Sequence, residues 1–223
     1  MNFKTFNFHP TVAAGIVAAG YVTPTPIQDR AIPKVLENHD IMGVAQTGTG
    51  KTAAFVLPIL NRLMGKKTAA VRALIMAPTR ELAEQIHQAI ETLGCKTHLK
   101  SVTVYGGVGI HPQIEKLKRA DIVVACPGRL LDHMNRRTVD FSQLEVLVID
   151  EADQMFDMGF YRISGAFWRV CPKNVRRCFS RRPCRPKYAD WQAISCGIRA
   201  LSRWEPWHLR IPLVMRSIRW HII

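Results

Sequence analysis

Two groups of residues, far apart in the chain, have the types and spacing to hold a polyphosphate. The first is Ala45-Gln46-Thr47-Gly48-Thr49-Gly50-Lys51-Thr52, after the apolar run Asp40-Ile41-Met42-Gly43-Val44 and before the helix-like Ala53-Ala54-Phe55-Val56-Leu57. Strand, glycine turn, then helix is the setting in which Gly-Lys-Thr is a phosphate-binding loop. Glycines let successive backbone N–H groups line one concavity, and the amino end of the following helix adds its positive dipole end. In that geometry Lys51 reaches the β- and γ-phosphates and the Thr52 hydroxyl holds Mg²⁺. The second group is Asp150-Glu151, directly after the apolar Val146-Leu147-Val148-Ile149. A carboxylate at the end of a buried strand suits a magnesium nucleotide. Asp150 can hold the ion through water, and Glu151 can orient or deprotonate an attacking water.

A third candidate precedes both. In Gly20-Tyr21-Val22-Thr23-Pro24-Thr25-Pro26-Ile27-Gln28 two prolines set an extended-to-turn path, and Pro26 suits the first turn of the next helix. A rigid segment of this kind presenting Gln28 toward the phosphate loop would match the donor and acceptor edge of adenine. Spacing alone leaves equally open an ordinary helix start with an exposed Gln.

The elements that must position these residues alternate. Helix-like stretches run from about 10 to 19, from Pro26, from the phosphate loop to about 64, from Pro78-Thr79-Arg80-Glu81-Leu82 to about 93, from 110 to 119, and from 130 to 136. Apolar strand-like runs lie between them at 71–77, 98–105, 121–125 and 144–149. This order implies a parallel sheet with helices on both faces, whose ligand site lies on the rim made by the carboxyl ends of the strands. Every turn that carries candidate chemistry falls at such an end.

The 223 residues suffice for one domain with a sizeable core, and 48% hydrophobic with 22% charged residues is a soluble globular composition. No run reaches the roughly 18 apolar residues of a membrane span. The apolar stretch 11–22, with only Lys4 before it, fits a short helix better than a signal peptide, so the expected location is the cytoplasm. The net charge of +14 points to a polyanionic partner, but it is unevenly spread. Residues 161–223 hold twelve Arg and two Lys against Asp190 and Glu205, a net of +12, whereas 17 basic and 15 acidic residues leave +2 for 1–160. All five Trp and four of the six Cys also lie after residue 160. Two differently composed segments are joined there.

Asp150-Glu151-Ala152-Asp153 spells the name of the DEAD-box RNA helicases, and the order of what precedes it resembles that family. Gly20 to Gln28, with Tyr21 inside it, is similar to the adenine-reading Q motif, and Phe3 stands where the family has an aromatic that stacks on the base. Residues 45–52 resemble motif I, residues 78–83 motif Ia, Gly106-Gly107 the paired glycines, Cys126-Pro127-Gly128-Arg129 motif Ib (Cys where Thr is usual), and residues 150–153 motif II. Met155 to Phe160 is similar to the segment that follows in bacterial members. The resemblance covers residues 1–160 and implies the amino-terminal one of two RecA-like domains, a three-layer α/β phosphate-loop fold. ATP and Mg²⁺ would be bound by Phe3, Tyr21, Gln28 and Ala45 to Thr52. Single-stranded RNA would be gripped along its backbone by Thr79, Arg80, Gly107, Gly128 and Arg129, with Asp153 coupling motif II to its neighbours.

After Phe160 that pattern stops. No Ser-Ala-Thr occurs, Phe179-Ser180-Arg181-Arg182 being the nearest echo, and the second domain with its arginine finger is absent. The domain is therefore expected to be incomplete at its carboxyl end. For residues 161–223, Arg with Trp suits a nucleic-acid-binding tail, and the basic, apolar 197–223 suits a membrane surface. The cysteine spacings match no zinc module. Translation out of frame explains the excess of Arg, Trp and Cys better than any of these, which would make the segment no domain at all. Three functions follow as expectations: an RNA-stimulated ATPase and helicase half using Lys51, Thr52, Asp150 and Glu151; a catalytically inactive nucleotide- or RNA-binding fragment; or an unrelated phosphate-loop ATPase, which the Gln28 segment and the Asp-Glu-Ala-Asp run disfavour.

Overall fold

The computed structural model describes residues 2–46, 48–66, 68, 70–158, 176–181 and 220–222. A 3₁₀ turn (Phe3–Phe6) leads into α1 (Pro10–Ala18) and α2 (Pro26–Leu36), and the chain then enters β1 (Asp40–Val44). The order continues through α3 (Lys51–Leu63), β2 (Ala73–Met76), α4 (Arg80–Leu93), β3 (Ser101–Val104), α5 (Ile110–Leu117), β4 (Ile122–Ala125), α6 (Pro127–Asn135), β5 (Val146–Ile149) and α7 (Ala152–Asp157). Two further strands follow, β6 (Arg176–Arg181) and β7 (Trp220–Ile222).

Among the described residues the strands form one sheet in the order β3-β4-β2-β5-β6-β1-β7, with every neighbouring pair parallel. The central strands β2, β4 and β5 are buried along their whole length, as a sheet covered on both faces requires. Side chains alternate between the faces. Ala73, Ile75, Val124, Val146 and Val148 pack against α1, α2, α3 and α4. Leu74, Met76, Val123, Leu147 and Ile149 pack against the other core, with Leu117 of α5, Leu130 of α6, Phe141 and Met155. Each fully buried aliphatic side chain contributes about 1.5–3 kcal/mol, so the two cores together hold the sheet rigid. The alternating α/β layering expected from the sequence is the layering found.

The edge opposite the strand ends is closed by one buried cation. Arg72, just before β2, is 2% exposed; its Nε donates to Glu145 Oε1 at 2.7 Å, just before β5. Its Nη1 donates to the carbonyls of Leu63 and Lys66 at 2.7 and 2.6 Å, at the end of α3. A buried guanidinium is tolerable only when paired and hydrogen-bonded in this way. It anchors the far end of the helix whose near end closes the glycine loop after β1.

The sheet, expected to be incomplete at its carboxyl end, has a strand in the slot concerned. β6 lies between β5 and β1, with Val148 opposite Cys178 and Ile149 opposite Phe179 on one side, and Gly43 opposite Ser180 on the other. Without a strand there, β5 and β1 would face one another with two unpaired rows of backbone N–H and C=O groups, a costly arrangement in the middle of a buried sheet. Cys178 is buried within the first core, and burial, aided by Asp40, pushes its thiol up to about 12. Apart from β6 and β7, residues 161–223 lie outside the described residues, and with them most of the expected out-of-frame segment.

The seating of β6 is checked by thiol labelling of the native chain with peptide mapping. Cys95, which is exposed, should react within minutes at pH 8. Cys178 should react at least about a hundredfold more slowly, because a buried thiol with a raised pKa offers almost no thiolate. Labelling of Cys178 at the rate of Cys95 would show that the strand is not held in the sheet.

Candidate functional site

β1 delivers the chain to the rim, and the loop after it turns on two left-handed glycines, Gly48 at φ 82° and Gly50 at φ 86°. Gly50 is the N-cap of α3, where no side chain caps the helix. The first N–H groups of a thirteen-residue helix are thus left for a ligand, the arrangement that makes a helix terminus an anion site. Lys51 Nζ donates to Ala45 O at 2.7 Å, bending its cation back across the loop, and Thr49 Oγ1 donates to Gln46 O at 2.8 Å. Thr52 is the second residue of α3 and half-buried; Thr47 lies outside the described residues.

The Gln28 segment is fastened to this loop. Thr25 and Gln28 form a capping box at the start of α2, with Gln28 Oε1 accepting from Thr25 N at 2.9 Å. Gln28 Nε2 donates to Gly50 O at 3.1 Å, and Thr25 Oγ1 to Thr49 O at 2.8 Å. Gln28 is 1% exposed, so it is not the ordinary exposed helix-start Gln that spacing left open. An amide has two donors and about two acceptor sites, so one of each remains after these bonds. A Cβ on Gly50 would lie 2.5 Å from Gln28 Nε2 and 3.1 Å from Thr25 Oγ1, so only glycine admits the contact. Thr25 escaped notice in the sequence although the signal was present: Thr-x-x-Gln ahead of an apolar periodic run. Phe3 is 5% exposed and meets Tyr21 and Phe6 edge-on, with centroids 5.9 and 6.0 Å away. Tyr21, at 37% exposure, is the open member of this aromatic group.

Across the rim, β5 ends in Asp150 and Glu151, 4% and 7% exposed. Asp150 N donates to Met76 O at 2.9 Å, and Glu151 N to Asp150 Oδ1 at 3.0 Å. Glu151 has φ 47°, a left-handed conformation that a non-glycine residue adopts at a cost of order 1 kcal/mol. Asp153, in the first turn of α7, carries a buried Oδ1 with no hydrogen-bond partner among the described residues. Only β6 separates β5 from β1, so the carboxylates and the phosphate loop share one rim about 10 Å apart. Hydroxyl and carboxylate oxygens, shared with phosphate, are the donors Mg²⁺ prefers, so Thr52 and Asp150 fit that ion.

Further along the rim, Thr79 caps α4 through its hydroxyl, which accepts from Leu82 N at 3.3 Å. Arg80 is exposed and its guanidinium lies 4.6 Å from the Tyr105 ring centroid. Tyr105 is raised above its ordinary pKa, first by its hydrogen bond to Glu84 and then by burial. Gly106 and Gly107 are exposed, the latter at φ 82°, and Gly128 is exposed in the first turn of α6. Arg129 is turned inward: Nη1 donates to Val108 O at 2.9 Å and Nε lies 3.6 Å from Asp132 Oδ2. Cys126 caps nothing with its side chain, and burial, with Glu81 nearby, pushes its thiol up to about 11. Arg80, the glycine pair and motif Ib therefore stand together on one stretch of rim, beside the β4 and β3 ends rather than at the phosphate loop.

Comparison with known proteins gives one consistent result. The family model described as DEAD/DEAH box helicase matches residues 25–180. The chain is 46% identical over 159 residues to the ATP-dependent RNA helicase CshA of Listeria monocytogenes, covering 71% of this chain and 30% of that protein. It is 43% identical over 185 residues to the ATP-dependent RNA helicase RhlB of Xanthomonas oryzae, covering 79% and 32%. Among solved structures it resembles a DEAD box protein from the hyperthermophile Methanococcus jannaschii, with a TM-score of 0.79, 36% identity, and 86% of this chain and 53% of that one covered. The chain spans about a third of the length of the curated relatives it matches. The family match runs to residue 180, twenty residues beyond the change of composition, and takes in all but the last residue of β6.

Gly50→Ala tests the geometry directly. An added methyl must displace the Gln28 amide and adopt a left-handed φ, together about 1–3 kcal/mol. Affinity for a fluorescent ADP analogue should fall at least about tenfold with the fold retained, as read by titration alongside circular dichroism. Unchanged affinity would mean that the loop is not the nucleotide site.

Proposed function

This chain belongs to the DEAD/DEAH box helicase family, and from that premise we propose that it is the ATP- and RNA-binding amino-terminal half of a cytoplasmic RNA-stimulated ATPase and helicase. The observation that carries the reading is the uncapped amino end of α3, closed around Gly48 and Gly50 and faced across one strand by Asp150 and Glu151. In the proposed reaction Lys51 exchanges its bond with Ala45 O for β- and γ-phosphate oxygens, leaving the loop's N–H groups to carry the remaining negative charge. Thr52, and Asp150 through water, would hold Mg²⁺, which supplies neutralisation of the charge that develops on the phosphates. Glu151 orients the attacking water and accepts its proton; its left-handed backbone and its amide bond to Asp150 hold the two carboxylates in fixed relation.

The remaining donor and acceptor of Gln28 read adenine, with Phe3 and Tyr21 forming the aromatic side of the base site. Single-stranded RNA is gripped by its backbone at Thr79, Arg80, Gly107 and Gly128, because hydroxyls, guanidinium groups and backbone amides contact phosphates without reading bases, and Arg129 would join them only by giving up its bond to Val108 O. Asp153 links these events to hydrolysis through its unpartnered Oδ1. A second reading, a fragment that binds nucleotide and RNA without turnover, is favoured by one fact: the curated relatives are about three times as long as the part this chain matches. Single-turnover ATP hydrolysis with and without RNA separates the two.

Lys51→Ala should weaken Mg-ATP binding by about a hundredfold, since a charge-assisted bond to each of two phosphates is lost. Equal affinity in a fluorescent-analogue titration would sink the site assignment.

The wild-type chain should prefer ADP to GDP by about 1–3 kcal/mol, the discrimination given by one well-placed amide, and Gln28→Ala should narrow the gap. Calorimetry showing indistinguishable ADP and GDP affinities would remove Gln28 from the base site.

A further inference from the structure

The glycine turn between β3 and α5 is braced from behind by two buried side chains that the proposed reaction does not use. Gln113, in the second turn of α5, is 6% exposed, and its Nε2 donates to Tyr105 O at 3.1 Å and to Gly109 O at 3.4 Å. Those carbonyls are the two ends of the turn that contains Gly106 and Gly107. With both amide protons so engaged, Oε1 is left only as an acceptor, and His133 Nε2 lies 3.4 Å from it. The imidazole therefore carries its proton on Nε2, which leaves Nδ1 to accept from the Thr138 hydroxyl at 2.8 Å. His133 is fully buried, and burial, with Arg129 beside it, pushes its pKa down, so the ring is neutral as that assignment needs. The same helix reaches the turn a second time, through Arg129 and Val108 O.

A buried glutamine and a buried histidine are costly unless fully bonded, and apolar side chains would fill the same space more cheaply. Here the amide is committed to the main chain of an exposed turn, and through Oε1 and His133 it ties the two ends of that turn to α6, whose first turn carries Gly128. We propose that Gln113 and His133 are positioning residues for RNA: they hold the Gly106-Gly107 turn and the start of α6 as one rigid surface for the sugar-phosphate backbone. The proposal rests on the reading that RNA meets this rim. Neither side chain touches the ligand; each acts through the turn.

The test uses the 223-residue chain and Gln113→Met, which keeps the volume and removes the amide. Three quantities are measured: amide hydrogen exchange at 106–109, affinity for a labelled decauridylate, and affinity for a fluorescent ADP analogue. Losing the two amide bonds should speed exchange at 106–109 and weaken RNA binding, each about five- to tenfold, with ADP affinity unchanged within about twofold. Should Gln113→Met fail to fold, Thr138→Val, at the half-buried end of the same chain of bonds, is expected to give the same pattern at about twofold. Unchanged exchange at 106–109 overturns the proposal, as does a parallel fall in RNA and ADP affinity with a lowered melting temperature. Unweakened RNA binding in Gln113→Met beside weakened binding in Arg80→Ala also overturns it and leaves the RNA-binding reading standing. RNA affinity untouched in both variants removes that reading, and the proposal with it.

Discussion

The contact on which the site depends is the approach of the Gln28 amide to the Gly50 carbonyl, made possible by a missing methyl group. A peptide carbonyl at the start of a helix cannot ordinarily be reached by a side chain from another helix, because a Cβ stands in the way. With glycine the distance closes to 3.1 Å, and Thr25 adds a parallel bond to the carbonyl of Thr49. These two bonds make α2 and the loop after β1 one body, so that a base bound in the proposed site beside Gln28 would feel the position of the loop. The cost is a left-handed residue at the helix start, which glycine alone accepts without strain. The same residue thus serves conformation and contact together, and a change there disturbs both.

The sheet gathers that local arrangement and the other candidate residues onto one rim. Parallel strands send all their carboxyl ends to one edge, and the order β5-β6-β1 sets the carboxylates opposite the phosphate loop with a single strand between. β6 therefore sits where the two halves of the site meet, and its register brings Ser180 level with Gly43. Behind the rim, Arg72 draws the far end of α3 onto the strand pair β2 and β5 through Glu145. One end of α3 is pinned by a buried cation and the other is left uncapped for an anion.

The rest of the rim follows a different economy. Arg80 lies over Tyr105, Tyr105 is bonded to Glu84, Arg129 is bonded to the turn carbonyl of Val108, and Gln113 with His133 supports that turn from inside. Charged and polar groups here are mostly committed to one another or to the backbone. What faces outward is glycine backbone and one guanidinium, a surface suited to a repeating polyanion because phosphate contacts position a strand without reading its bases.

Strong local patterns were legible in the sequence by itself. The apolar runs of β2, β4 and β5, the Gly-Lys-Thr turn, the turn into α4 at Pro78-Thr79-Arg80 and the carboxylates after β5 depend on neighbours in the chain, and each stands where periodicity and turn chemistry put it. The family could be read from the same residues, since the order of motifs is a property of the chain. What the sequence could not supply were the contacts between distant segments. That Gln28 is buried on Gly50, that Arg129 turns inward to Val108, and that Gln113 meets His133 are each decided by packing of segments twenty or more residues apart or by a close backbone approach. β6 was hidden for a related reason. Its Arg-rich composition argues against a buried strand when read alone, and only the unpaired edges of β5 and β1, which no local window contains, supply the hydrogen-bonding partners that make it one.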